Sequence, residues 1–336
     1  MKAAFYEAPH KVDVHEAPRP EPGKDEVVVR VEACGLCGTD QHIYRGGFLP
    51  HYPLIGGHEM AGEVAAIGEG VDNIAEGQRV AVDPSVFCGY CFFCQRAQGN
   101  HCLHWNGIGV TRNGGFAEYV LAPKANIYPI GDMPYEAAAF IEPISCVVYG
   151  LKRLQIPVGA NALIYGAGTI GLLMLQLARH GGAGQVVSVD TKPEKLALAR
   201  KLGATATVQA GDTADDELRQ LSELGYDVVI DCTGVPAVVE HTFIHVRDEG
   251  KLLFFGVNPV EAAIKVSPYD VYKKDLTILG SFALRYTFHQ AIDLLENGSV
   301  DVKPLLSEQL PLERFPDALK LAREGDALKV QIQPQR

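Results

Sequence analysis

From Ala160 onward, short apolar runs alternate with helical stretches, and this pattern constrains the fold more than any other feature of the sequence. The runs ALIYGAG, QVVSVD, YDVVIDC, KLLFFGV and DLTILGSF are typical of buried strands. Helical stretches such as TIGLLMLQLARHGG and KPEKLALARKLGA separate them, and another helix is expected near residues 236–246. Strands that are apolar on both faces and alternate with helices predict a parallel sheet covered on both sides, hence a doubly wound α/β fold.

The first 145 residues follow a different pattern. They are rich in glycine and proline and contain short strand-like runs, namely EVVVRVEA, GEVAAIG and RVAVDP, which predict a compact β-rich domain with loops. The last residues hold one predicted helix (HQAIDLLENG) and short strands, too little for a separate domain. We therefore expect two domains in the 336-residue chain, 1–148 completed by 287–336, and 149–286.

The segment GAGTIG (166–171) ends the first strand of the α/β region and opens its first helix. There Gly166 permits a tight turn, Gly168 lets the backbone approach a pyrophosphate, and Gly171 allows close packing of helix on strand. A G-x-G-x-x-G run alone is also compatible with a plain β-turn-α connection. The strand-turn-helix context favours dinucleotide binding.

Asp190 ends the second strand, nineteen residues after Gly171. A carboxylate in that place accepts hydrogen bonds from a ribose diol and repels a 2′-phosphate, so the sequence favours NAD over NADP. Lys192 and Lys195 follow closely and weaken this preference. The alternative is that Asp190 only caps the next helix at the surface.

Four of the eight cysteines lie in CGYCFFCQRAQGNHC (88–102), spaced C-x2-C-x2-C-x7-C. The N-terminus carries no secretion signal, and in a reducing compartment such a cluster favours metal binding over disulfides. Four thiolates close a tetrahedral zinc site and leave no position for substrate, so we interpret Cys88, Cys91, Cys94 and Cys102 as a structural zinc site. An iron–sulfur cluster is the alternative, although ferredoxin-type spacings differ from this one.

A second group of metal-ligand residues is spread over the motifs CGTDQH (37–42), GGHEMAG (56–62) and EPISC (142–146). Cys37, His58 and Glu142 would bind one zinc ion and leave a fourth position for water or an alcohol. Taken singly, the cysteine is also typical of a core residue, and the carboxylates are typical of a surface. Three ligand types in one domain, beside a nicotinamide-binding unit, favour the catalytic interpretation.

The order of these motifs, with GGFAEYV (114–120) among them, resembles the zinc-dependent medium-chain alcohol dehydrogenases over nearly the whole chain. The similarity is greatest to the branch of polyol (sorbitol and xylitol type) and threonine dehydrogenases, in which Glu precedes Pro in the third ligand motif. The resemblance implies a GroES-like β-rich catalytic domain, a Rossmann doubly wound parallel-sheet domain, two zinc ions per chain and NAD. It also implies a secondary alcohol as substrate, foremost a sugar alcohol of the sorbitol, xylitol or arabitol type, with threonine or a general secondary alcohol as the alternative.

Carried over to this chain, the resemblance assigns catalytic zinc to Cys37, His58 and Glu142. Glu59 is a neighbouring carboxylate that binds either directly or through water, and the sequence leaves that choice open. Asp40 would accept a hydrogen bond that orients His58. The zinc would act as a Lewis acid on the alcohol, whose hydride passes to the nicotinamide.

Two further residues of the first motif occupy the family's proton-relay positions. The hydroxyl of Thr39 would pass a proton through the cofactor ribose to His42 and on to solvent, although His42 is also compatible with a surface histidine. Beside the cofactor, the resemblance places Gly166, Gly168, Thr169, Ile170, Gly171, Asp190, Lys195, Val257 and Phe282.

The substrate pocket is less clearly marked. Tyr44, Phe48 and Trp105 could line it, although aromatic residues are more often part of a core. The polyol branch carries an arginine where GSFALRYTF has Ala283, and Arg285 follows two residues later. A polar substrate would lose that contact unless Arg285 replaces it, which weakens a strict sorbitol assignment.

Charge and hydropathy weigh against other classes of partner. The formal net charge is −11 without any Lys/Arg-rich run, which makes nucleic acid and anionic membrane poor partners. No apolar run is long enough to span a bilayer. We expect a cytoplasmic homo-oligomer, a tetramer or a dimer. The competing hypotheses are a non-catalytic dinucleotide-binding protein and a zinc-free quinone or enoyl reductase on the same fold.

Overall fold

The predicted alternation of strands and helices is present in the computed structural model, which describes residues 1–47 and 51–336. The chain divides into two compact units. Unit 1 comprises Met1–Ser145, Leu284–Asn297 and Val302–Arg336, and unit 2 comprises Cys146–Ala283 and Gly298–Asp301. Among the described residues, no helix combines the length and the apolarity needed to cross a bilayer.

The N-terminal part of unit 1 consists mainly of short strands. They are β1 (Lys2–Ala8), β2 (Lys11–Glu16), β3 (Glu26–Gly35), β4 (Leu54–Ile55), β5 (Glu59–Ile67), β6 (Arg79–Val82), β7 (Ser85–Val86), β8 (Asn106–Gly107), β9 (Tyr119–Pro123) and β10 (Ile127–Pro129). The helices are α1 (Gly38–Tyr44), α2 (Tyr135–Ala138) and α3 (Ile141–Leu154), the last of which continues into unit 2.

Unit 2 alternates strands and helices. Its elements are β11 (Asn161–Tyr165), α4 (Thr169–His180), β12 (Gln185–Asp190), α5 (Pro193–Lys201), β13 (Ala206–Gln209), α6 (Ala214–Leu221), β14 (Tyr226–Asp231), α7 (Pro236–His241), β15 (Val246–Phe254), α8 (Pro268–Lys273) and β16 (Thr277–Gly280). The strands form one parallel sheet in the order β13-β12-β11-β14-β15-β16. The strand order reverses at β11, which places a topological switch point at the loop that follows it.

The chain then returns to unit 1 with α9 (Phe288–Glu296), β17 (Leu306–Pro311), α10 (Phe315–Glu324) and β18 (Lys329–Gln333). In the main sheet of unit 1 the order is β10-β6-β5-β3-β18-β17, and β9 also pairs with β3. Gly35 of β3 lies opposite Glu59 of β5 on one side and Gln331 of β18 on the other. This register brings the end of β3, the start of β5 and the last strand together, and the candidate site lies there.

Two helix predictions need correction. The last residues contain two helices rather than one, because α10 also forms. Its signals were a proline in the first turn and Gly325, which has a positive φ of 75° beyond the last turn. The helix expected at residues 236–246 ends at His241 and continues as a 3₁₀ turn, Thr242–Ile244, so that Val246 already belongs to β15.

Candidate functional site

Cys37, His58 and Glu59 lie together in unit 1. Cys37 immediately precedes α1, and His58 and Glu59 lie at the start of β5. The Gly35–Glu59 pairing brings these segments side by side, so that one ligand atom of each of the three side chains lies within 4.8 Å of the others. A Cβ atom at position 35 would lie 2.1 Å from Glu59 Oε2, so this close approach of the carboxylate to the backbone requires glycine.

The Glu59 carboxylate is buried together with an ammonium group. Lys329 Nζ donates hydrogen bonds to Glu59 Oε1 at 2.8 Å, to Glu59 Oε2 at 2.5 Å and to the carbonyl of Leu36 at 2.9 Å. The side chains of Lys329 and Glu59 are 5% and 1% exposed. Burial lowers the pKa of Lys329, but the charges of Glu59 and Cys37 outweigh that effect and raise it. Lys329 is a member of the site that the sequence analysis missed.

The predicted hydrogen bond from His58 to Asp40 is absent from the structure. Asp40 Oδ2 instead accepts the backbone N–H of Cys37 at 2.8 Å, as part of the N-terminal cap of α1. Asp40 Oδ1 and His58 Nδ1 are both buried without a hydrogen-bond partner among the described residues. Burial lowers the pKa of His58, but Cys37 and Asp40 outweigh that effect and raise it well above its usual value. The local field therefore favours positive charge, and a thiol, an imidazole and a carboxylate are suitable donors for zinc.

Glu142 lies in the first turn of α3, half-buried. It is outside the group of atoms that lie within 4.8 Å of one another, although its negative charge contributes to raising the pKa values of His58 and Lys329. Cys37, His58 and Glu59 therefore form one group of converging ligand atoms, and Glu142 lies outside that group.

Thr39 and His42, the two predicted relay residues, both lie on α1. Thr39 Oγ1 is 3.9 Å from Cys37 Sγ, so the hydroxyl is beside the predicted metal ligand. His42 is half-buried, and burial together with the charge of Arg45 lowers its pKa. A lowered pKa keeps the imidazole neutral and able to accept a proton at neutral pH.

Asp83 is a further buried carboxyl group of unit 1, located just after β6. Its side chain is 5% exposed, and Oδ1 accepts the backbone N–H of Ser85 at 2.8 Å. Burial raises its pKa from 3.8 to about 7. Because the folded-state pKa is raised, this group stabilises the fold fully below its unfolded pKa and loses that contribution as the pH rises towards 7.

We therefore expect wild-type protein to lose stability relative to the Asp83→Asn variant as the pH rises from about 4 to about 7. The asparagine keeps the Oδ1 acceptor and does not ionise. Urea unfolding at a series of pH values measures the difference. An identical pH dependence in both proteins would show that Asp83 does not titrate in this range.

The four cysteines at residues 88–102 converge as predicted for a metal site. Their sulfur atoms lie within 4.8 Å of one another, with Cys88 and Cys94 at 3.9 Å and Cys91 and Cys102 at 3.9 Å. A disulfide requires about 2.05 Å, whereas sulfur atoms around a tetrahedral zinc ion are about 3.8 Å apart. Backbone N–H groups of Cys94 and Leu103 lower the pKa of Cys91 to about 6, which favours a thiolate. Burial, reinforced by the neighbouring thiols, raises the pKa of Cys94 to about 12, so a cation is required to keep all four ionised.

The glycine loop of unit 2 has the conformation expected of a dinucleotide-binding turn. Gly166 has a φ of 95°, and a Cβ atom at Gly171 would lie 1.7 Å from the carbonyl oxygen of Gly166, so α4 packs directly on the loop. A Cβ atom at Gly168 would meet nothing within 4 Å, which leaves the backbone at the start of α4 open to a ligand. Thr169 and Ile170 form the first turn of α4 and are half-buried.

Asp190 is located at the end of β12, beside this loop. Its Oδ2 accepts the backbone N–H of Ala167 at 2.7 Å, and its Oδ1 accepts that of Lys192 at 2.9 Å. Asp190 therefore also caps the start of the next helix, α5, which is the role expected from the alternative interpretation of this residue. Lys195 is half-buried on α5. Val257 and Phe282, which are 56% and 49% exposed, follow β15 and β16 at the same carboxyl edge of the sheet.

The residues considered for a substrate pocket are scattered. Tyr44 and Trp105 pack against the core of unit 1, and Phe48 lies outside the described residues. Ala283 ends the main segment of unit 2, whereas Arg285 belongs to unit 1. The positions of Ala283 and Arg285 therefore do not identify a residue that would contact a polyol substrate.

The fold and the two thiol-containing groups define a class, that of a zinc-binding dehydrogenase with a GroES-like and a Rossmann domain. Residues 23–132 match the family model described as the alcohol dehydrogenase GroES-like domain, and residues 169–297 match that described as zinc-binding dehydrogenase. The chain belongs to the zinc-dependent medium-chain alcohol dehydrogenases, in the branch of polyol and threonine dehydrogenases. It is an NAD(P)-dependent zinc dehydrogenase of alcohols or polyols.

Individual relatives match over almost the entire chain. D-arabinitol dehydrogenase 1 of Uromyces fabae is 36% identical over 99% of this chain and 97% of its own length. D-altritol 5-dehydrogenase of Agrobacterium fabrum is 37% identical over 91% of each chain. A crystal structure of a zinc-binding dehydrogenase from Sinorhizobium meliloti, bound to NADP, superposes with a TM-score of 0.94 at 36% identity and covers 99% of both chains.

Proposed function

We propose that this dehydrogenase oxidises a sugar alcohol with NAD, at a zinc ion bound by Cys37, His58 and Glu59. The convergence of these three donors within 4.8 Å of one another, with His58 and Glu59 buried and Cys37 half-buried, is the observation that carries the proposal. Three protein ligands leave a further position for substrate, as in other catalytic zinc sites. When bound, the metal supplies a Lewis acid that makes a hydroxyl group easier to ionise.

The third protein ligand is assigned to Glu59 rather than Glu142 on geometry. Glu59 belongs to the converging group and Glu142 does not. A carboxylate has about four lone-pair sites, so Glu59 can accept the hydrogen bonds of Lys329 and still bind a cation. Glu142, half-buried at the start of α3, is proposed as the carboxylate that binds through water.

The remaining residues of the motif move the proton. Thr39 is located beside Cys37, and its hydroxyl would accept a hydrogen bond from the substrate hydroxyl and pass its proton towards His42 on the same helix. His42 is suited to the last step because its lowered pKa keeps it neutral before the transfer. Cys37 and His58, by contrast, only bind and orient the metal.

A panel of alcohols tests the substrate class. With NAD, we expect arabitol, xylitol, sorbitol or another sugar alcohol to give a kcat/KM at least about tenfold above that of threonine and 2,3-butanediol, since each additional matched hydroxyl contributes about 1 kcal/mol or more. A higher kcat/KM for threonine than for the sugar alcohols would instead indicate an amino-alcohol dehydrogenase. No turnover with any of them in protein containing two zinc ions would favour a non-catalytic dinucleotide-binding protein.

We propose NAD rather than NADP because the Asp190 carboxylate lies at the end of β12, beside the loop residue Ala167. In the Asp190→Ser variant, we expect the ratio of kcat/KM for NAD to that for NADP to fall by about tenfold or more, equivalent to about 1.4 kcal/mol. Serine removes the negative charge that would repel a 2′-phosphate. Asp212→Ser, at an exposed position of the same unit, is the matched control. An unchanged ratio in Asp190→Ser would remove this residue from cofactor selection.

The other assignments extend the same proposal. Cys88, Cys91, Cys94 and Cys102 bind a structural zinc ion, unit 1 is the catalytic domain, and unit 2 binds the cofactor through the glycine loop, Lys195, Val257 and Phe282. A homo-oligomer, a tetramer or a dimer, is supported by β16, an edge strand with Ile278 39% exposed, and by Tyr269 and Tyr272 on α8, 66% and 79% exposed. A cytoplasmic location remains a prediction.

A further inference from the structure

A third group of metal-ligating side chains lies in unit 2, apart in sequence from the motifs discussed above. Asp215, His241 and His245 each place one ligand atom within 4.8 Å of the others. Asp215 Oδ1 accepts a hydrogen bond from Nε2 of His241 at 2.8 Å and from Nε2 of His245 at 3.0 Å. One carboxylate oxygen and two imidazole nitrogens thus converge.

Local structure fixes the three side chains. Asp215 is in the first turn of α6, His241 ends α7, and the 3₁₀ turn that follows α7 brings His245 back beside His241. The two imidazole rings pack with centroids 5.4 Å apart. The side chain of His245 is 2% exposed, whereas those of Asp215 and His241 are 34% and 42% exposed. The cluster is therefore buried on one side and open to solvent on the other.

Tyr165 supplies an independent indication of a ligand. Its ring centroid is 6.3 Å from those of both histidines. The residue is 6% exposed, yet its hydroxyl has no hydrogen-bond partner in the described part of the chain. A water molecule or anion completing the coordination shell of a cation would give this phenol a partner.

The types of donor atom indicate the kind of cation. The 2.8 and 3.0 Å separations are hydrogen bonds in this structure, and a cation would replace the two protons that lie between the imidazole nitrogens and the carboxylate. Adjacent ligands of a metal are about 3.0–3.4 Å apart when each is about 2.1 Å from it, so only a small movement of the side chains is needed. First-row divalent metals are typically bound by two histidines and one carboxylate on one face of the ion, which leaves the remaining coordination positions open.

We propose that Asp215, His241 and His245 form a third metal site, which binds a first-row divalent cation. His245 is 2% exposed and its Nε2 already faces Asp215, so the imidazole is held in place as a ligand. Arg219 is the cationic group whose charge also acts on His245, and its guanidinium donates to Asp216 at 2.9 Å. The site is independent of the residues assigned to catalysis.

Nickel titration of the full-length, untagged, zinc-loaded protein tests this site. We expect one nickel ion to bind per chain without release of zinc, as measured by equilibrium dialysis and elemental analysis. In Asp215→Asn and in His241→Gln, the nickel affinity should fall more than about 100-fold, since even the loss of a residue that only supports a ligand costs 10- to 100-fold. His180→Gln, an exposed histidine of the same unit, should bind nickel like wild type.

Two results would overturn the proposal. One is wild-type protein that binds no nickel beyond its zinc, and the other is nickel binding of equal affinity in wild type, Asp215→Asn and His241→Gln. Asparagine can still accept the histidine N–H groups, and His241 is partly exposed, so both variants should fold. Circular dichroism verifies their folding, and if Asp215→Asn does not fold, His241→Gln alone decides.

Discussion

Replacement of His58 by alanine should lower kcat/KM for alcohol oxidation by at least about 1,000-fold. Metal-ion stabilisation of developing negative charge contributes several kcal/mol, and each 1.36 kcal/mol corresponds to a factor of ten in rate. His58 is 5% exposed and is one of three donors that converge here within the described part of the chain, so its loss leaves Cys37 and Glu59 too few to retain the ion. The variant should contain one zinc ion per chain instead of two, the remaining ion being that of the four cysteines.

His51→Ala is the matched control, because it removes an exposed histidine of the same unit. It should keep both the activity and the metal content of the wild type. Binding of the reduced cofactor, followed by fluorescence, should be intact in both variants, since the glycine loop belongs to unit 2. A His58→Ala variant that keeps more than a tenth of the activity, or both zinc ions, would show that His58 is not a ligand.

Replacement of Lys329 by methionine should destabilise the protein by about 3–5 kcal/mol, because it leaves the buried carboxylate of Glu59 without its counter-charge. Methionine has a similar length and no charge, so the change isolates the ammonium group. The free energy of unfolding is measured by urea denaturation after zinc has been removed with a chelator from wild type and variant alike, because a zinc ion bound to Glu59 would itself compensate the carboxylate. Lys320→Met removes a lysine whose side chain is 64% exposed and should change stability by less than about 0.5 kcal/mol.

The double variant Glu59→Gln/Lys329→Met separates the two roles of Glu59. Without the buried carboxylate, no uncompensated charge remains, so we expect most of the lost stability to return. Activity should stay low, because glutamine is a poor substitute for a carboxylate ligand. If the double variant were as unstable as Lys329→Met, charge compensation would not be the function of Lys329.

The features predicted correctly from sequence are local or periodic. GAGTIG and the four cysteines each occupy one short segment, and the structure folds each of them as a unit. The parallel sheet follows from apolar runs long enough to span a buried strand. The helix α10 was not predicted, although a proline in its first turn and Gly325 after its last turn are present in the sequence.

The features that could not be predicted depend on contacts between distant segments. Lys329 meets Glu59 across 270 positions, only because β18 pairs with β3 and β3 with β5. The Asp215 cluster likewise joins the first turn of α6 to the end of α7 and the turn that follows it. The choice between Glu59 and Glu142 depends on the Gly35–Glu59 register, which motif spacing alone does not encode.

Crystallography of the zinc-loaded protein, with anomalous diffraction recorded at the zinc edge, tests the central claim most directly. The expected result is an anomalous peak in each chain bonded to Cys37 Sγ, His58 and Glu59, in addition to the peak among the four cysteines. Crystals of fully active protein that lack the first peak, while activity persists after exhaustive chelation, would contradict the account.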